Sequence, residues 1–100
     1  GEIIMFKKKK KIELSSEELR IIRYALTDFR NTLLKQNKYT DPIDEILPKL
    51  KNKMKVDKYD LGLIINGIYE NRNLMIEDNK DTESVDYLIL KLIKIHDTLK

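Results

Sequence analysis

Apolar residues recur along this chain in two rhythms, one suited to helices and one to short extended segments. Leu19, Ile22, Leu26, Phe29 and Leu33 follow 3-4-3-4 spacing, which lays one apolar stripe along a helix. Leu61, Ile64, Ile68 and Met75 form a matching stripe further on, and two shorter stripes follow at Ile43, Ile46, Leu47 and Leu50 and at Val85, Leu88, Ile89 and Leu92. Each long stripe is preceded by four alternating residues, Lys11-Ile12-Glu13-Leu14 and Lys53-Met54-Lys55-Val56, and period-two alternation predicts a short extended entry. Ser15 with Glu18 reads as a capping box, and Asp57 with Asp60 holds the same places. Asn37 and Asn79 stand where the long helices should stop, because Asn tolerates the left-handed conformation of a helix end. Thr40 or Asp41, and Thr82, are placed to cap the second helices, with Pro42 suited to a first turn. Pro48 predicts a kink or an early end in the first of these.

The two halves are related. Shifted by 42 residues the chain meets itself without gaps, with 11 identities in 42 positions. Among them are Leu19/Leu61, Arg30-Asn31/Arg72-Asn73, Asn37-Lys38/Asn79-Lys80, Thr40/Thr82, Asp44/Asp86 and Lys49-Leu50/Lys91-Leu92. About two or three identities would arise by chance at background frequencies. The expected fold class is therefore all-α: two tandem 42-residue αα-hairpin repeats packed as a four-helix bundle-like domain, with short extended segments before each repeat. Residues 1–10 read as a basic arm and 11–100 as a single helical domain, with repeat one at 11–52, repeat two at 53–94 and the helix end at 95–100. The second repeat has 19 apolar residues against 16, so its helices either sit centrally or face another chain.

Charge changes the picture at one end only. The net charge is +3, and all of it resides in residues 1–14, where Lys7, Lys8, Lys9, Lys10 and Lys11 face Glu2 and Glu13. Such a run can grip phosphates. Without interleaved Arg or aromatic residues it predicts no base reading, and the plainer reading is a solvated tail or edge strand. There is no Cys, which removes disulfides and thiolate chemistry. No stretch reaches the length of a membrane span, and the lysines follow the apolar Ile3-Ile4-Met5-Phe6 where a signal peptide would have them first.

Other chemistry is sparse. Arg30 with Asp44, and Arg72 with Asp86, read as structural ion pairs across each hairpin. Carboxylates recur at Asp41/Asp44, Asp57/Asp60 and Glu83/Asp86, a spacing some helical enzymes use for Mg²⁺. Every pair falls in a first helical turn, where acids serve capping and the helix dipole. His96 is the one histidine and has no partner base nearby in sequence. No catalytic residue, metal site or cofactor is implied.

The stretches Leu14-Ser15-Ser16-Glu17-Glu18, Arg30-Asn31 and Lys38-Tyr39-Thr40-Asp41-Pro42-Ile43-Asp44-Glu45-Ile46-Leu47 resemble small uncharacterised helical proteins of Gram-positive bacteria and their mobile elements. The resemblance covers mainly residues 12–52 and implies an accessory protein with no established activity. The sequence thus predicts a cytoplasmic, non-enzymatic protein–protein interaction module, pairing with itself as a homodimer or with another protein. Its candidate interface is Leu63, Ile65, Tyr69, Tyr87, Leu90 and Ile93. The alternative is a nucleic-acid-associated accessory protein that uses Lys7 to Lys11 on phosphates.

Overall fold

The computed structural model describes residues 8–99. In chain order it contains strand β1 (Lys10–Glu13), helix α1 (Ser16–Lys35), helix α2 (Asp41–Ile46) closed by a 3₁₀ turn at Leu47–Lys49, strand β2 (Lys53–Val56), helix α3 (Lys58–Glu77) and helix α4 (Glu83–Thr98). The chain is mostly helical, with one small two-stranded sheet, and among the described residues no helix is long and apolar enough to cross a membrane.

Local chemistry sets the helix ends. Ser15 Oγ accepts from the Glu18 N–H at 3.0 Å while Glu18 Oε1 accepts from the Ser15 N–H at 2.8 Å. Asp57 and Asp60 close the same box at the start of α3, at 2.7 and 3.2 Å. Both boxes satisfy amides that a helix start leaves without partners. At the far ends Asn37 and Asn79 adopt φ of 55° and 57°. The next residues, Lys38 and Lys80, then reach back with N–H bonds of 2.8 Å to Leu33 O and Met75 O, the six-to-one bond of a Schellman end.

The second helices differ from the expectation in one detail. Thr40 and Thr82 occupy the N-cap positions, but their hydroxyls accept no backbone amide. Each donates instead to the carboxylate four residues on, Thr40 Oγ1 to Asp44 Oδ2 and Thr82 Oγ1 to Asp86 Oδ2, both at 2.9 Å. A charged acceptor makes the stronger bond. Pro48 acts as predicted: α2 stops after six residues and the proline lies in the 3₁₀ turn.

Strands β1 and β2 pair antiparallel with Lys10 opposite Val56, Lys11 opposite Lys55, Ile12 opposite Met54 and Glu13 opposite Lys53. The ladder extends one step further, where the Leu14 N–H donates to Asn52 O at 2.7 Å and Asn52 Nδ2 donates to Leu14 O at 3.0 Å. Ile12 and Met54 lie 42 places apart and face one another, so exchanging the two halves maps the ladder onto itself.

The core lies beneath this ribbon. Ile12, Leu14, Met54 and Val56 point inward and are buried with Ile22, Leu26, Leu61, Ile64, Ile68, Leu88 and Leu92. Helices α1 and α3 pack side by side, with α2 and α4 also against α3. Ala25 and Gly67, again 42 apart, let the two long helices approach. A Cβ on Gly67 would come within 2.9 Å of Leu26 Cδ2.

Candidate nucleic-acid interface

The sheet is built so that one face belongs to the core and the other to lysine. In a strand alternate side chains point to opposite faces. Ile12 on β1 and Met54 and Val56 on β2 turn inward, with Lys10 on the same face at the open end of β1, so the outward set is Lys11 and Glu13 on β1, and Lys53 and Lys55 on β2. Lys51 continues the same row, and Lys8 and Lys9 lead into β1; all are exposed. Lys11, Lys51, Lys53 and Lys55, with Met54, surround a shallow depression of about 350 Å³. Among the described residues none of these four lysines has an ion-pair partner. Among the described residues the ribbon therefore presents lysine ammonium groups without ion-pair partners, with Glu13, opposite Lys53, as the one carboxylate on its strands.

Two other lysines are held within the fold. Lys91 Nζ donates to Glu13 O at 2.8 Å and to Glu18 Oε1 at 2.9 Å, tying α4 to the start of α1. Burial acts to raise the Glu18 pKa, but bonds from the Ser15 amide and from Lys91 outweigh it and hold the carboxyl below its ordinary value. Lys10 Nζ donates to Thr98 Oγ1 at 3.1 Å.

Of the five lysines predicted to contact phosphate, Lys8, Lys9, Lys10 and Lys11 fall on or beside β1, and Lys7 lies outside the described residues. Lys10 is the first residue of β1 and is bonded to α4. Lys51, Lys53 and Lys55 were not among the predicted contacts. Their signal is the period-two run Lys51-Asn52-Lys53-Met54-Lys55, whose meaning depends on which strand it pairs with.

The predicted interface residues separate. Ile65 is buried in the core, at 9% exposure, because α3 is flanked by α1, α2 and α4 and so has more than one inward face. Leu63 and Ile93 pack against the core at intermediate burial. Tyr69, Tyr87 and Leu90 remain exposed, at 40, 67 and 56%. A groove of about 440 Å³ runs over Ile21, Tyr24, Asn71, Leu74, Met75 and Val85.

The polar pairs come together twice. Arg30 Nε donates to Asp44 Oδ1 and Arg72 Nε to Asp86 Oδ1, each carboxylate also accepting from its threonine. The guanidinium first, and the hydroxyl second, hold the Asp44 and Asp86 carboxyls below the usual carboxylate range. Asp57 and Asp60 are engaged in the α3 cap. His96 Nδ1 lies 4.0 Å from Asp97 Oδ1 on the last turns of α4, where positive charge suits the helix dipole.

Fold and surface together define a small helical protein that carries a lysine-faced β-ribbon. No protein-family model matches the chain, and no curated protein or solved structure matches it.

Proposed function

We propose that this chain is a small bacterial or phage accessory protein, acting in the cytoplasm, that binds nucleic-acid backbones through the lysine ribbon and catalyses no reaction. The observation that supports this reading is the β1–β2 register, which sets Lys55 opposite Lys11 and Lys53 diagonal to it, with Lys51 continuing the row at one end and Lys8 and Lys9 leading into β1 at the other. Clustered, unneutralised lysines on one face are the electrostatic footprint of a phosphate-binding surface. We read the scaffold beneath as a tandem duplication of one strand and one helical hairpin, the two units packed about a local twofold axis into a four-helix arrangement. The self-mapping ladder, the paired caps and the twin Arg–Asp–Thr clusters support that reading.

Salt dependence tests the proposal. Six lysines on six phosphates give log K against log salt a slope of about −5, and removing three brings it to about −3. Fluorescence anisotropy with labelled random nucleic acid, on the full chain and on Lys51→Ala/Lys53→Ala/Lys55→Ala, reads both slopes. An unchanged slope in the variant, or no binding near physiological salt, refutes the proposal.

A second reading is a protein–protein interaction module that pairs as a homodimer or with another protein, and it is favoured by the exposure of Tyr69, Tyr87 and Leu90. Sedimentation equilibrium should then show a dimer that Tyr87→Ala/Leu90→Ala dissociates. A wild-type monomer at every concentration removes the self-pairing form.

A further inference from the structure

We propose that the ligand of the ribbon is B-form duplex DNA, held by its phosphates across the major groove without regard to base sequence. This rests on the nucleic-acid reading above and narrows it. Three features of the ribbon carry the inference.

The first is the absence of a stacking platform among the described residues of the ribbon. Proteins that grip single strands combine basic grooves with aromatic rings on which bases stack. The outward positions of this ribbon are Lys11, Glu13, Lys51, Lys53 and Lys55, without an aromatic among them. The tyrosines lie elsewhere: Tyr24 on α1, Tyr39 between α1 and α2, Tyr59 and Tyr69 on α3 and Tyr87 on α4. A surface of ammonium groups alone suits a ligand whose bases are already stacked and whose phosphates face outward.

The second is size. At about 3.4 Å per residue the row from Lys51 to Lys55 spans about 14 Å, and the major groove of B-form DNA is about 12 Å wide and admits a two-stranded ribbon. The deep, narrow major groove of A-form RNA does not. The ribbon also sits on the outside of the fold, with its apolar side chains turned inward, so neither strand must leave the core to enter a groove.

The third is the symmetry of the ladder. A DNA duplex has local twofold axes perpendicular to its length, and this ribbon has an approximate one through the Ile12–Met54 pair. Exchanging the halves carries the pair Lys11–Lys55 onto Lys53–Glu13, so the lysines approach both backbones in nearly equivalent ways. Glu13 alone departs from that pattern. A lysine ammonium is a compact point charge that suits phosphate, whereas bidentate contact with base edges is best served by the planar side chains of Arg, Asn and Gln. Of these the ribbon has only Asn52, whose amide is bonded to Leu14 O, so contact is with phosphate and indifferent to sequence.

The test is a fluorescence anisotropy titration at 0.15 M salt. Its probes are a 20-base-pair random DNA duplex, one of its strands alone, the same sequence as duplex RNA, and vesicles containing anionic lipid. Duplex DNA should bind at least about tenfold more tightly than either other nucleic acid. Loss of three phosphate contacts in Lys51→Ala/Lys53→Ala/Lys55→Ala should weaken it by about a hundredfold at this salt. Glu13→Lys, which completes the symmetric lysine set, should tighten duplex binding and steepen its salt slope by about 1. These side chains are exposed, and circular dichroism checks that each variant keeps its helices. Equal binding of duplex and single strand, or stronger binding of duplex RNA, overturns the groove assignment and leaves the nucleic-acid reading standing. Binding to vesicles alone, or to no probe, overturns both.

Discussion

The helical pair α1–α2 and the helical pair α3–α4 start from the same plan and end differently. Both long helices run for 20 residues between a capping box and a left-handed Asn, and in both pairs an Arg–Asp–Thr cluster links the long helix to the start of the next. The second helices then diverge. Helix α2 has six residues and α4 has 16, and the position that holds Pro48 in one holds Leu90 in the other. A proline has no amide to give and its ring clashes with the preceding turn, so one residue accounts for the truncation. The consequence reaches the neighbouring helix. Lys91, on the intact α4, reaches Glu18, whereas its counterpart Lys49 lies in the 3₁₀ turn and, among the described residues, makes no ion pair with Asp60. What the halves share ties each long helix to the one that follows, and what they do not share sets α2 and α4 apart.

The largest effects should come where the halves touch. Leu26 and Ile68 are equivalent positions, both fully buried, on the two helices that pack side by side. Truncating either to alanine removes buried methyl groups and leaves a cavity, for a loss of about 2–5 kcal/mol. Urea unfolding should give similar losses for Leu26→Ala and Ile68→Ala. Gly67 lies against Leu26, so some collapse around Leu26→Ala is available, and its loss should be the smaller of the two. The reverse order would mean that α3, not α1, is the more adaptable helix.

Much of this arrangement can be read from local spacing. Capping boxes, Asn ends and the break at Pro48 each depend on residues within a few places of one another, and physical rules for those hold without knowledge of the fold. The pairing of β1 with β2 does not. Two four-residue alternating segments can pair in either direction and in several registers, and only the packing of the helices beneath selects one. The lysine face was hidden for that reason: Lys53 and Lys55 are visible in the sequence, but their nearness to Lys11 depends on the register. Ile65 shows the converse difficulty. The apolar surplus of the second repeat fits a central helix and an outer interface equally well; the flanking of α3 by three helices decides for the core at Ile65, while Tyr69, Tyr87 and Leu90 stay exposed.

The smallest effects test whether the twin clusters are alike. Asp44 and Asp86 are held below the ordinary carboxylate range by the same two partners, so the sign of their pH dependence is fixed. A carboxyl whose folded pKa is depressed contributes stability that is present above its unfolded value, about 3.9, and is lost as pH falls toward the folded one. Glu18, also depressed, adds a loss that begins nearer its own unfolded value, about 4.3. Melting temperature should therefore be flat around neutrality and decline below about pH 4. Asp44→Asn and Asp86→Asn each remove one contribution, so each variant should decline less steeply over that window while starting slightly lower at pH 7. These pairs are partly exposed, and solvent screening keeps the starting difference small. Because Thr40 is buried and Thr82 only half-buried, Asp44→Asn leaves its hydroxyl in the drier setting and should lower the neutral melting temperature more. If instead the two variants coincide at every pH, the clusters are interchangeable, and the divergence between the halves lies entirely beyond Pro48.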